Sequence, residues 1–258
     1  MRKTLLKKII REYFKNKVIK KELLFVSLLG SFQTGEAINS YSDLDILLIL
    51  KSDKFGVVKN PILYRLKDLS KNISKKYNIE ISLLTHTIFD FEQYVDFNYL
   101  IHYSWGDVLF GSKASYQKLF TNIINKKYSA KFRKDLMYYN LVHARFNLIR
   151  QYVSWNKFNK ANYEIVILKL IIDKIIEICD WALVYKNIFK KTKKEVLDEF
   201  NKKYDLEKYG HIPEQAYSIR SNWNPNDLNK KEINVFIDES ILFVQELVKI
   251  IYRDYVKN

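Results

Sequence analysis

Two short apolar runs joined by one polar connection constrain this chain more than any other feature. The first runs from Leu23 to Leu29 and stops at Gly30-Ser31. The connection holds Gly35 and ends at Ser42, after which Asp43-Leu44-Asp45 opens the second run, Ile46 to Leu50. Short apolar runs with β-branched residues, bounded by Gly, Ser and Asn, predict two buried strands. Residues two apart on a strand point the same way. Asp43 and Asp45 are therefore expected on one face, while Leu44 and Ile46 turn into the core.

This spacing carries chemistry. Hard divalent cations such as Mg²⁺ take oxygen ligands, and one or two carboxylates plus substrate phosphates suit them. Two such ions about 3.5–4 Å apart can clamp the attacking and leaving oxygens of a phosphoryl transfer. A glycine at a strand end lets a phosphate approach the backbone closely. Free N–H groups and the Ser31 hydroxyl can then hold it, as at a helix N-terminus. The plain alternative is a strand-turn-strand with two solvated aspartates.

The set Leu29-Gly30-Ser31, eleven residues, then Asp43-Leu44-Asp45-Ile46 resembles the signature of the DNA polymerase β-like nucleotidyltransferase superfamily. Gly35-Glu36-Ala37 and Ser42-Asp43-Leu44-Asp45 look most like the small bacterial and archaeal members, including the antibiotic nucleotidyltransferases. The resemblance implies an α/β (α+β) fold with a small mixed sheet. It implies transfer of a nucleoside monophosphate from a nucleoside triphosphate to an acceptor hydroxyl, with release of pyrophosphate. Asp43 and Asp45 would hold two Mg²⁺ ions, and Gly30 and Ser31, with the aspartates, would bind the nucleotide. The resemblance also calls for a third carboxylate on the strand after the next helix. Glu80 is the acidic residue in Ile79–Leu84. An Asp is common there, so Glu80 is a departure, and it suits a general base on the acceptor hydroxyl.

The rest of the chain supplies the scaffold. Residues 3–21 form an amphipathic pattern expected to be one helix. Ile62, Leu63, Leu66, Leu69 and Ile73 recur at helical spacing after Pro61, and Ile79 to Leu84 alternates as a third strand. Residues 88–98 read as a short helix with Asp90, Glu92 and Asp96 solvated. A strand ending in Leu109-Phe110-Gly111 resembles the closing segment of such catalytic domains, so the likeness spans about the first half of the chain. Beyond it only helices are expected, centred on residues 116–123, 132–155, 163–189, 196–204 and 235–255. This predicts a catalytic domain over 1–126 and an acceptor-binding helical bundle over 127–258. Residues 208–230 read as a long irregular connection with Arg220 and Trp223 as candidates for phosphate and base contacts. The aromatic series Tyr138, Tyr139, Phe146, Tyr152 and Trp155 is expected to serve mostly as core.

Composition narrows the partners. A formal charge of +15 on 258 residues favours polyanions such as nucleoside triphosphates or RNA. An aminoglycoside acceptor needs local acid, for which Asp173, Glu177 and Asp180 are candidates. The single cysteine, Cys179, excludes an intramolecular disulfide and reads as a buried thiol. No stretch of about 18 apolar residues occurs, residues 1–10 are too lysine-rich and too short in apolar runs for a secretory signal to be expected there, and no DNA-specific motif is present. A cytoplasmic protein is expected, with an RNA, protein or small-molecule acceptor and scope for a homodimer. The alternative is a catalytically silent module of the same fold that binds RNA or a protein partner, as in a toxin–antitoxin pair.

Overall fold

The computed structural model describes residues 3–15, 17–38, 41–154, 161–224 and 229–257. The chain divides into two compact units, Met1–Ser129 and Ala130–Asn258.

In the first unit the apolar runs become β1 (Leu23–Leu28), β2 (Leu44–Leu50), β3 (Ile81–Thr87) and β4 (Asp107–Phe110). They form a four-stranded sheet in the order β3-β2-β1-β4. β1 is antiparallel to β2 and to β4, and β3 is parallel to β2, which makes the sheet mixed as expected. Parallel neighbours need a crossover. α4 (Asn60–Tyr77) provides it, with Pro61 in its first turn and Asn78 ending it in a left-handed conformation, φ 49°. Pro fits a helix start because its missing N–H has no partner to lose there.

Alternation sorts the two faces of the sheet. Leu44, Ile46, Leu48 and Leu50 face a core shared with Leu66, Leu69 and Ile73 of α4 and with Leu6, Ile10 and Phe14. The N-terminal segment is two helices, α1 (Lys3–Tyr13) and α2 (Lys17–Glu22), rather than the single one expected. The break falls where Phe14 turns into the core, only 1% exposed. Ahead of β2 lies the short α3 (Gly30–Thr34). The opposite face of the sheet meets α5 (Ile88–Gln93), α6 (Phe97–Ser104) and α7 (Lys113–Lys127). The single helix expected over 88–98 is thus divided, and Asp90 is not merely solvated. Its carboxylate accepts from Thr87 N at 2.6 Å and from Thr87 Oγ1 at 2.9 Å, a capping box that starts α5.

A polar link ties this second face together. Ser27 on β1 is fully buried, and its Oγ lies 2.8 Å from Tyr116 Oη. The Tyr116 hydroxyl donates to the backbone oxygen of Tyr103. Tyr116→Phe is expected to strand both partners and to cost about 1–3 kcal/mol, because a buried polar group left unpaired loses its full hydration. Urea denaturation of the full chain checks this.

The second unit is helical: α8 (Ala130–Ser154), α9 (Ala161–Tyr185), α10 (Lys193–Lys203), α11 (Ile212–Ser221) and α12 (Lys230–Tyr255). α9 is its centre, packed against each of the other four. Ile171, Ile172, Ile175, Ile178 and Cys179 are buried along it. α11 corrects the expected irregular stretch over 208–230. Pro213, read as a loop residue, sits in the first turn of α11, where its fixed φ favours a helix start. Arg220 is buried in α11 with its Nε 3.8 Å from Asp173 Oδ1, so it holds the bundle together. The acidic series is engaged in the same way, since Glu177 pairs with Lys174 and Asp180 is buried. Tyr139 and Phe146 are exposed rather than core, while Tyr138 stacks on Tyr255 at 4.4 Å. Trp155 and Pro225 lie outside the described residues. Among the described residues, no helix is long and apolar enough to cross a membrane.

Candidate functional site

The site lies where β1 ends and β2 begins. Leu29 N donates to the Asp45 backbone oxygen at 3.0 Å, which fixes the end of β1 against β2. Gly30 then takes φ +60°, a left-handed conformation that L side chains rarely adopt, and starts α3. A Cβ on Gly30 would overlap Asp45 Oδ2 and lie 3.4 Å from Asp45 Cγ. The Asp45 carboxylate therefore occupies the space that the missing side chain leaves. Ser31 follows in the first turn of α3, 8% exposed. Gly35, φ +89°, closes α3 by donating its N–H to Ser31 O at 2.9 Å. Gln33 anchors the turn from behind, with Nε2 donating to Trp105 O at 3.1 Å.

The connection is also braced at its far end. Ser42 Oγ accepts from Ile38 N at 3.0 Å, and Ser42 N donates to Ile38 O at 2.9 Å. Asp43 emerges directly from this turn. Leu44 is wholly buried between the partly exposed Asp43 and Asp45, as the alternation requires. The Asp45 carboxylate thus lies on the second face of the sheet, at the start of α3, and Asp43 stands at the head of the same strand.

Glu80 directly precedes β3, and its backbone oxygen accepts from Leu44 N at 2.8 Å. The parallel register sets Ser82 beside Asp45, which puts Glu80 beside Asp43. The Glu80 side chain is exposed at the mouth of a groove formed by α4 and β3. Among the described residues, no three His, Cys, Asp or Glu side chains are gathered as a metal-holding group. The structure therefore brings Gly30 and Asp45 together, with Ser31 in the turn that Gly30 starts, and places Asp43 and Glu80 at the heads of the adjacent strands β2 and β3. The donor chemistry suits a hard cation, whose shell substrate phosphate oxygens would complete: two carboxylates two residues apart in sequence, one of them seated against the Gly30 turn.

Sequence reasoning passed over two residues of this face. Tyr103 on α6 has its hydroxyl pushed up to about 12, first by burial, then by Tyr99 and by the negative charge of Asp45. Its ring packs 5.7 Å from that of His86 on β3, whose imidazole burial holds below the ordinary histidine range. Neither sits in a motif. The signal available was His86 on the alternating strand, six residues past Glu80 and so on the same face.

A Gly-Ser turn entering a short helix, set against an Asp-x-Asp strand on a mixed sheet, defines a nucleotidyltransferase-type fold. Residues 6–105 match the family model of the nucleotidyltransferase domain. Among solved structures, spectinomycin adenyltransferase from Enterococcus faecialis, crystallised with ATP and spectinomycin, shares the fold over 93% of this chain and 96% of its own, at 14% identity and a TM-score of 0.50. A toxin–antitoxin structure with AMP-PNP matches 46% of this chain and 85% of its own, at 14% identity and a TM-score of 0.35. No curated protein matches the chain.

Proposed function

We propose that the first unit transfers a nucleoside monophosphate from a nucleoside triphosphate to an acceptor hydroxyl, releasing pyrophosphate. The observation that carries this reading is the seating of the Asp45 carboxylate against the bare Cα of Gly30, which brings the two halves of the motif into contact.

The turn at Gly30 and the Ser31 hydroxyl bind phosphate oxygens of the triphosphate and orient its α-phosphorus. Asp43 and Asp45 are the residues that would hold Mg²⁺, which supplies charge neutralisation on the phosphates as that phosphorus is attacked. Glu80 takes the proton of the acceptor hydroxyl. The acceptor oxygen bonds to the α-phosphorus, and the bond from that phosphorus to the pyrophosphate oxygen breaks. The C-terminal helical unit selects the acceptor. The basic charge favours RNA, a tRNA end included, or a protein hydroxyl. The fold shared with spectinomycin adenyltransferase brings in an antibiotic hydroxyl as a third class.

The test incubates the protein with each α-labelled nucleoside triphosphate, Mg²⁺ and small RNA, cell protein or antibiotics in separate reactions. Label passing to one acceptor class supports transfer and names the class. Nucleotide binding without label transfer to any acceptor overturns it in favour of a silent binding module. With the acceptor in hand, Glu80→Gln is expected to slow single-turnover transfer by about 10²–10⁴-fold, the usual range for a general base, while nucleotide affinity stays within about twofold. Calorimetry and rapid quench separate these two effects.

A further inference from the structure

β3 ends the sheet, and among the described residues no strand pairs with its outer edge. The Leu44 N to Glu80 O bond sets the phase of the parallel ladder. Ser82, Leu84 and His86 therefore spend their backbone groups on β2. Ile81, Leu83 and Thr85 present theirs at the open edge. The side chains of the same three residues line a groove of 460 Å³ whose other wall is α4. Leu63 and Leu66 give that wall an apolar floor, and Lys67 and Lys71 are exposed along it. Lys75 and Lys76 continue the positive charge through the last turn of α4. Glu80 at one end supplies an opposing charge.

An open, half-apolar strand edge is a template for another strand, and proteins that leave one unused usually blunt it. Here the seven residues of β3 carry no proline and no lysine. The lysines stand on the facing helix, where they would meet every second side chain of an added strand. We propose that this edge and groove bind an extended acidic peptide as a fifth strand, its acidic side chains turned to Lys67 and Lys71 on α4 and its alternate apolar ones turned to the opposite face of the sheet, on the side of Ser82 and Leu84. Such strand addition draws affinity from main-chain bonds and selectivity from the alternate pockets. A second copy of this chain is a poor occupant, because it would bring Lys67 and Lys71 against their own equivalents. The inference uses neither aspartate nor the Gly30 turn, and shares with the proposed transfer reaction only Glu80, at the end of the groove.

The test uses the full chain and a fluorescein-labelled peptide of about eight residues, long enough for one strand, alternating glutamate and valine. Saturable binding by anisotropy is expected, weakened about tenfold or more by Lys67→Glu with Lys71→Glu, a loss readily resolved in a Kd. Both lysines are exposed, so the variant is expected to keep its wild-type thermal transition. N-methylation of one alternate set of peptide amides is expected to abolish binding, while the other set tolerates it, because only one edge of the peptide faces β3. Equal binding by both methylated peptides would show polyelectrolyte attraction alone and overturn the proposal, as would no binding. A dimer in sedimentation that the peptide fails to dissociate would give the edge to a second copy and overturn it too.

Discussion

Asp45→Asn is expected to reduce nucleotidyl transfer on the order of 10³-fold or more, at least as large as the loss of one transition-state hydrogen-bond donor. The substitution keeps the size and shape of the side chain, so the backbone bond from Leu29 N to Asp45 O and the packing against Gly30 remain. What it removes is one of two negative charges on the face that would hold the cation. Thermal stability should therefore change little, or rise slightly as repulsion with Asp43 is relieved. Tyr103 provides an internal reporter. The Asp45 charge helps to keep its hydroxyl protonated, so its titration midpoint, about 12 in the wild type, should fall in the variant. Ultraviolet difference spectroscopy reads that shift without any substrate. A variant that folds, shows the lowered tyrosine midpoint and still transfers label at the wild-type rate would remove Asp45 from the reaction.

The site was legible in the sequence where chemistry and secondary structure share one short segment. Gly30, Ser31, Asp43 and Asp45 lie within sixteen residues, and the structure seats the Asp45 carboxylate against Gly30. Strands were legible for the same reason, β1 and β2 as continuous apolar runs and β3 as an alternating one, whereas their mixed pairing was implied by the family resemblance alone. What stayed hidden depends on partners distant in the chain. Tyr103 joins the site only because α6 folds across the face that holds Asp45, and no spacing within 97–104 announces that. Arg220 looked like a phosphate ligand because a basic residue between two prolines reads as loop. The packing of α11 on α9 buries it beside Asp173 instead. Glu80 sits between these cases. Its place at the head of β3 follows from alternation, but the side chain of a residue just before a strand is not bound to the alternation that places Asp45.

Gly30→Ala should damage the protein in two separable ways. The first is backbone strain. At φ +60° an alanine is expected to cost about 1 kcal/mol in folding stability. The second is local to the site. The new methyl would overlap Asp45 Oδ2, and the neighbouring Cγ lies 3.4 Å away, so the carboxylate must rotate out of its seat or the turn must move. Under the proposed function, either response displaces the carboxylate that would hold the cation or the turn that would hold phosphate. Transfer is expected to fall by about 10²-fold, the scale of an ångström-sized misplacement. Gly35→Ala separates the two effects. Gly35 also has a left-handed φ, +89°, but a Cβ there meets nothing within 4 Å. It should lose comparable stability and keep its nucleotide affinity. Urea midpoints and nucleotide titrations on both variants make the comparison. The overlap argument further requires that Gly30→Ala be non-additive with Asp45→Asn in transfer, because both act through one carboxylate. Additive losses, or equal losses of affinity at positions 30 and 35, would mean that strain alone explains the glycine. The contact between Gly30 and Asp45 would then be a consequence of the turn rather than the reason for it.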